Sequence, residues 1–411
     1  MTLIRLPSSI PYPWVVMALS VATLTALAST FVGFGALFPF IQDDLKIDRA
    51  EIGLISSARV LGGIGTSLLA GLLADVVGVR RLQSLTLLSV VVCLVLFSQM
   101  DSLLQGVLLA LLLGVSSAGS FPCFVKAIMD WMSPRHRGVA MGTAEASFPV
   151  GGILSALILT LIAEVYSWRV SVMVIAAGVA VCTVAFFLFY RDPEKGTASA
   201  AAAAGGPAKE KLRQVVRSRG VWLGAAVAAA MGIIMTVVVT FLILFLKETM
   251  GMSSVLAGAC MSVSLAGGAI SRIVWGLVSD HYLGGRRSGL LAMVAALTGV
   301  FIAFLVLLPP TAGLWLVMLV VFFIGATGMG WSGLTGNLVA ESVDPELTGT
   351  AIGLAATVIR LGPMCATPIF GLIVDRTGSY DWAWWMMVGV AGLATVISLS
   401  LRGVDAARPR G

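Results

Sequence analysis

The chain has 411 residues, of which 58% are hydrophobic and 11% charged, against about 25% charged in a soluble domain. Its mean hydropathy is +1.01. This is more apolar surface than a soluble fold of this length can bury. A soluble enzyme, a collagen, a disulfide scaffold and a disordered chain are thereby excluded, leaving a polytopic membrane protein. The net charge of +6 would suggest nucleic acid in a soluble chain, but the placement of the charge assigns it otherwise.

A bilayer core needs about 20 apolar residues per helix. The first such run, 14–41, follows one Arg and a Pro-rich turn with no small-residue cleavage site, so it reads as a membrane helix and not a removed signal peptide. Eleven more runs follow at 52–73, 82–99, 103–129, 139–162, 170–190, 221–246, 255–278, 288–308, 312–340, 349–374 and 382–401. The predicted fold class is an all-α membrane protein of twelve transmembrane helices in two pseudo-symmetric six-helix bundles, 1–190 and 221–411. They are joined by 191–220, whose alanine run, glycines, proline and basic residues read as a flexible cytoplasmic linker. Cys93, Cys123, Cys182, Cys260 and Cys365 lie singly in apolar stretches, without metal-ligand spacing or a suggested disulfide, and read as small packing residues.

Cationic residues orient the chain. With both termini inside, 17 Lys and Arg fall on the inner side and 5 on the outer, with 4 inside spans. That bias explains the basic charge without nucleic acid. Trp382, Trp384 and Trp385 open the last span as an outer aromatic belt.

Two motifs recur in order. Gly71-Leu-Leu-Ala-Asp75 returns 205 residues on as Gly276-Leu-Val-Ser-Asp280, each followed by an Arg pair, Arg80-Arg81 and Arg286-Arg287. Gly138-Val-Ala-Met-Gly142 returns 211 residues on as Gly349-Thr-Ala-Ile-Gly353. A duplicated fold follows, with a substrate site expected between the halves near midplane. Gly71 and Gly276 are expected where helices approach closely, Asp75 and Asp280 as caps or cation partners, and the Arg pairs as headgroup anchors. At these residues the chain resembles the major facilitator superfamily, whose loop pattern is Gly-x-x-x-Asp-x-x-Gly-Arg-Arg. Here Val79 stands at the first Arg, and the second copy carries one extra residue. The resemblance implies that the loop motifs hold one conformation of two rocking halves. Ser120-Phe-Pro-Cys-Phe-Val-Lys126 through Asp130-Trp131 to Pro134, Arg137 and Gly138 is similar to a stretch of the superfamily's organic-anion symporters. Ala118-Gly119 stand where many of those carry an acid.

An ionisable residue at the bilayer centre costs about 2.5–3.5 kcal/mol on insertion scales, so each asks for a reason. Four basic residues, Arg59, Lys126, Arg272 and Arg360, face one clear acid, Glu145. That excess points to counter-charge from a bound anion. Arg360 lies roughly 16 Å from the end of its span, at 1.5 Å per residue, with Pro363 and Pro368 beyond it. The alternative is pairing with Glu145 or a carbonyl. Arg272 sits one turn before the second loop motif. Resemblance to nitrate and carboxylate carriers gives it an anion-binding role, and snorkelling is the alternative. Arg59 reads as a gate, a snorkel or a ligand, and Lys126 as interfacial. Asn337, at the position equivalent to Lys126, is a substrate hydrogen-bonding candidate. Glu145 is either a proton carrier or a structural partner. Trp331, Phe34 and Phe38 either line the path or pack.

Gly328-Met-Gly330-Trp-Ser-Gly333 matches a dinucleotide fingerprint but lacks the preceding strand. Ser332 in a protease-like Gly-x-Ser-Gly has no base near it, His136 and His281 being in loops. No nucleotide-binding loop is present, so coupling rests on a gradient. The sequence therefore reads as a non-enzymatic secondary transporter of a small organic anion, a carboxylate, with proton symport through Glu145. Arg272, Arg360, Arg59 and Asn337 are its substrate-binding set. No cofactor, metal or nucleic acid is expected. The expected partners are the anionic substrate, protons and the lipid bilayer, for a monomer in a bacterial inner membrane. A proton-coupled drug exporter, a nitrate or cyanate carrier and a non-transporting sensor are the competing readings.

Overall fold

The apolar runs become helices wherever a full turn of donors and acceptors can pair within the segment, as hydrocarbon requires. The computed structural model describes residues 12–64, 66–192, 208–279, 287–343 and 347–401. The first six spans are α1 (Tyr12–Leu45), α2 (Arg49–Gly63) with α3 (Thr66–Val77), α4 (Val79–Phe97), α5 (Leu103–Ser117) with α6 (Ser120–Trp131), α7 (Pro134–Val165) and α8 (Trp168–Phe189). After α9 (Ala208–Arg217) come α10 (Arg219–Glu248), α11 (Ser254–Leu277), α12 (Arg287–Leu307), α13 (Leu314–Gly328) with α14 (Ser332–Ala340), α15 (Thr348–Thr377) and α16 (Asp381–Ser400).

Eleven helical segments among the described residues are long and apolar enough to cross a membrane. The predicted second span is described as two shorter helices, α2 and α3, on either side of residue 65, which lies outside the described residues. Inside the predicted linker, α9 is helical. Its Val215 is buried with Val221, Ala225, Val339 and Ala351, so an apolar anchor orders a segment whose composition reads as loose.

By contacts the chain forms two compact units. One comprises residues 1–47 and 58–203, the other 48–57 and 204–411. In the first, α1 packs on α7 and α8, and α4 on α8 and α5. In the second, α10 packs on α15 and α16, α12 on α16, and α11 on α13. Close approaches fall on paired glycines. A Cβ on Gly62 would strike the Leu111 carbonyl, and one on Gly114 the Arg59 carbonyl. In the second unit Gly267 meets the Phe322 carbonyl and Gly325 the Ser264 carbonyl in the same way. Gly151 lies on the Thr25 carbonyl, and Gly362 has the Ala229 carbonyl 3.2 Å from its virtual Cβ. These pairs lie 205 or 211 residues apart, the spacings of the sequence motifs. Gly276 is different: no described atom lies within 4 Å of its virtual Cβ. Among the described residues of this unit, main chain meets main chain at Gly267 and Gly325.

The aromatic belt is corrected in one member. Trp382 and Trp385 are exposed, but Trp384 is fully buried. It packs edge-on against Phe370 at 5.1 Å and Phe245 at 5.6 Å. A helical step of 100° per residue turns position 384 away from 382 and 385. Cys365 is exposed, while Cys93, Cys123 and Cys260 are buried.

Candidate functional site

The fourth and tenth spans, which carry candidate residues, are interrupted midway, for different chemical reasons. In the fourth span α5 and α6 are separated by a turn at Ala118–Gly119, whose dihedrals stay right-handed helical. Pro122 has no N–H to return to the Ala118 carbonyl, which weakens the ladder there. In the tenth span the interruption at Met329–Trp331 is made by side chains of α11. The Trp275 indole donates to the Ala326 carbonyl at 2.8 Å, and Arg272 Nε to the Met329 carbonyl at 3.4 Å. Both are acceptors at the C-terminal end of α13, where the helix dipole favours a cation. Gly330 is needed at the break because a Cβ would strike Ser271 Oγ.

Arg272 therefore contacts the broken helix of its own unit. Trp331 is 5% exposed, and its indole nitrogen has no partner among the described residues. Asn337 is exposed on α14, on the same side as Gly333 and Gly336, where virtual Cβ atoms meet nothing within 4 Å.

Arg360 stands differently. It is half-buried on α15, within a span, and makes no hydrogen bond or ion pair among the described residues. Its neighbours in sequence are fixed against α10: Ile359 lies on Gly232, and Gly362 on Ile233. α15 continues through Pro363 and Pro368, neither of which can donate to the ladder.

Arg59 is satisfied without a carboxylate. It donates from Nη1 to the Thr30 carbonyl and from Nη2 to Thr30 Oγ1 at 2.6 Å. Its guanidinium lies 5.1 Å and 5.5 Å from the ring centres of Phe31 and Phe34. Phe34 also packs on Phe97 at 4.6 Å, and Phe38 is buried, so both aromatics serve packing. Lys126 is half-buried on α6. Glu145 lies on α7 and Asp75 with Gly71 on α3, but their side-chain surroundings are outside the described residues. So are Asp280 and Arg286 altogether.

The loop cations are held by protein. Arg80 Nε donates to the Phe187 carbonyl at 2.9 Å, with its guanidinium 4.9 Å from the Phe187 ring centre. Its backbone N–H donates to Asp192 at 3.2 Å. Arg80 thus caps the end of α8 while Asp192 caps the start of α4. Gly78, at φ 91°, lets that carboxylate approach. Arg287 pairs with Glu341 at the end of α14. Arg81 is exposed. The anchoring expected from headgroups is supplied instead, for Arg80 and Arg287, by carbonyls and a carboxylate. Asp192 and Glu341 carry no distinctive local spacing, which is why the sequence did not single them out.

Long apolar helices and a structural repeat define an integral, multi-pass helical membrane protein. The chain belongs to the Major Facilitator Superfamily, whose description matches residues 19–363. It is 27% identical to the hexuronate transporter of Bacillus subtilis, over 87% of each chain. It is 25% identical, over 91% of each, to a protein of Cupriavidus necator named "Probable sulfoacetate transporter SauU". Its fold matches the crystal structure of a D-xylose-proton symporter with a TM-score of 0.79 at 14% identity, covering 94% of this chain and 97% of that one.

Proposed function

We propose that the protein moves a small organic anion, a carboxylate, across a bacterial inner membrane by alternating access of two six-helix halves, 1–190 and 221–411, with both termini cytoplasmic. The observation that carries this reading is Arg360, a guanidinium within a span with no protein counter-charge among the described residues. An anion supplies that charge, and a planar fork suits a carboxylate. The names of the two relatives support it, since a hexuronate and sulfoacetate are both carboxylates. Arg360 is the principal ligand. Arg272 and Asn337 contribute from α11 and α14, and Arg59 from α2. The loop residues Gly71, Asp75, Arg80, Arg81, Gly276, Asp280, Arg286 and Arg287 bias the conformational equilibrium. The protein works as a monomer.

The test is thermal stabilisation of the purified protein by D-glucuronate, sulfoacetate, nitrate, cyanate and tetraphenylphosphonium. An organic anion at 100 times its Kd adds about 2.7 kcal/mol when it binds only the folded state. Stabilisation by the lipophilic cation alone makes the protein a drug exporter, and by nitrate or cyanate alone an inorganic-anion carrier. Binding without counterflow in vesicles makes it a sensor.

Glu145 carries the coupling proton in this reading, alternating between neutral and paired forms. Glu145→Gln is expected to retain anion exchange across vesicles while losing accumulation driven by a pH gradient. Accumulation by the variant at the wild-type level would remove Glu145 from coupling.

A further inference from the structure

Three arginines at the corner between α9 and α10 have no partner among the described residues. Arg213, Arg217 and Arg219 are exposed, and their side chains make no hydrogen bond or ion pair there. In sequence, residues 208–222 hold five cations, with Lys209 and Lys211, against one acid, Glu210. The loop cations Arg80 and Arg287 behave otherwise. Each is held by protein, Arg80 at the Phe187 carbonyl and Arg287 at Glu341.

The corner is fixed in place. A helix as short as α9 is marginal in water by itself, so packing orders it. Val215 is fully buried among Val221, Ala225, Val339 and Ala351. The Ser218 N–H donates to the Val215 carbonyl at 3.0 Å, and the Ser218 hydroxyl to the Ser342 carbonyl at 3.1 Å. The Trp222 indole donates to the Val216 carbonyl at 2.7 Å. That bond ties the first turn of α10 back to the last turn of α9, and it uses the only donor the indole has.

The helical period then sorts the side chains. Arg213 and Arg217 stand four residues apart and share one face of α9. The 3.6-residue period puts the buried anchor, Val215, on the opposite face and Val216 between the two. Val216 and Trp222 are each 42% exposed. An exposed apolar edge therefore adjoins an arginine face, where α10 begins as a long apolar span at Arg219. A soluble acidic surface would complement only the charge. A bilayer surface complements both parts, since acyl chains take the apolar edge and headgroups the cations.

We propose that α9 and the first turn of α10 form a binding surface for an anionic phospholipid. Arg213, Arg217 and Arg219 meet its phosphodiester, and Val216 and Trp222 lie against its acyl chains. Guanidinium forks suit phosphate oxygens. A zwitterionic lipid brings its own cation to the same phosphate and gains less from the arginines. The inference depends neither on the identity of the substrate nor on the side of the membrane that the corner faces.

Hydrogen exchange of the full-length protein tests it, in nanodiscs of phosphatidylglycerol and in nanodiscs of phosphatidylcholine. Exchange across 208–222 is expected to be at least tenfold slower in phosphatidylglycerol, equivalent to about 1.4 kcal/mol. The triple variant Arg213→Gln, Arg217→Gln, Arg219→Gln loses that difference, while exchange across α12 stays at the wild-type rate and shows that the variant is folded. Lys46→Gln with Arg376→Gln removes two exposed cations elsewhere and keeps the difference. A difference that survives the triple variant overturns the proposal. So does equal exchange in the two lipids, which leaves the arginine face to a soluble acidic partner. Millimolar inorganic phosphate that reproduces the slowing in phosphatidylcholine discs makes this a site for free phosphate and overturns the lipid assignment.

Discussion

Gly325→Ala is expected to be among the most damaging single-methyl additions in this protein. Its Cβ would strike the Ser264 carbonyl, with Ser264 Oγ 2.8 Å away. The obstacle is main chain, which no rotamer change relieves, so α11 and α13 must separate along a contact that also includes Gly267 and Gly330. A loss of about 3 kcal/mol, the upper end of overpacking costs, is expected in the thermal or denaturant unfolding of the detergent-solubilised protein. Gly392→Ala makes the matched control. Its virtual Cβ meets nothing within 4 Å on α16, so the methyl adds helix propensity worth at most about 1 kcal/mol. The same change of residue thus has opposite signs at the two sites. Equal stability of the two variants would mean that the glycine seam of α11 and α13 does not control their approach.

Arg360→Gln is expected to separate binding from folding. The variant loses a charged donor to the anion, worth about 1.5–3 kcal/mol, and anion affinity falls more than tenfold. The empty protein loses an unpaired intramembrane charge whose insertion costs about 2.5–3.5 kcal/mol. Without ligand the variant therefore unfolds at the wild-type temperature or above it, and the ligand-induced shift is abolished. Arg360→Lys keeps the charge without the planar fork and falls between the two. A variant that is less stable when empty and binds the anion as before would show that Arg360 serves the fold. Titration calorimetry with D-glucuronate, beside thermal unfolding of the empty protein, separates these outcomes.

Composition and the 3.6-residue period already specify much of the chain. Water excludes the long apolar runs, and hydrocarbon leaves only helices to satisfy their backbones. The helical spans, the repeat and the excess of intramembrane cations could therefore be read before any coordinates. The glycine pairs 62 and 267, 114 and 325, and 151 and 362 lay in the same sequence at the spacings of the recognised motifs. Their partners are backbone carbonyls, which carry no sequence signal, so the register of contact was hidden.

Tertiary structure decided which of the four cations have partners. Arg59 and Arg360 have the same residue type and similar apolar flanks, yet Arg59 is satisfied by Thr30 and Arg360 has no partner among the described residues. Whether a guanidinium finds an acceptor depends on the rotation of a neighbouring helix, and hydropathy does not encode that angle. The break in the tenth span likewise depends on Trp275 and Arg272 reaching carbonyls more than fifty residues away. The attachment of residues 48–57 follows the same rule. Sequence alone determined that Arg49 is an outer-side cation ahead of the second span, and only packing placed it at a helix start with Glu248, Asp375 and Tyr380 around it, because long-range charge pairing is set by where helices end in space.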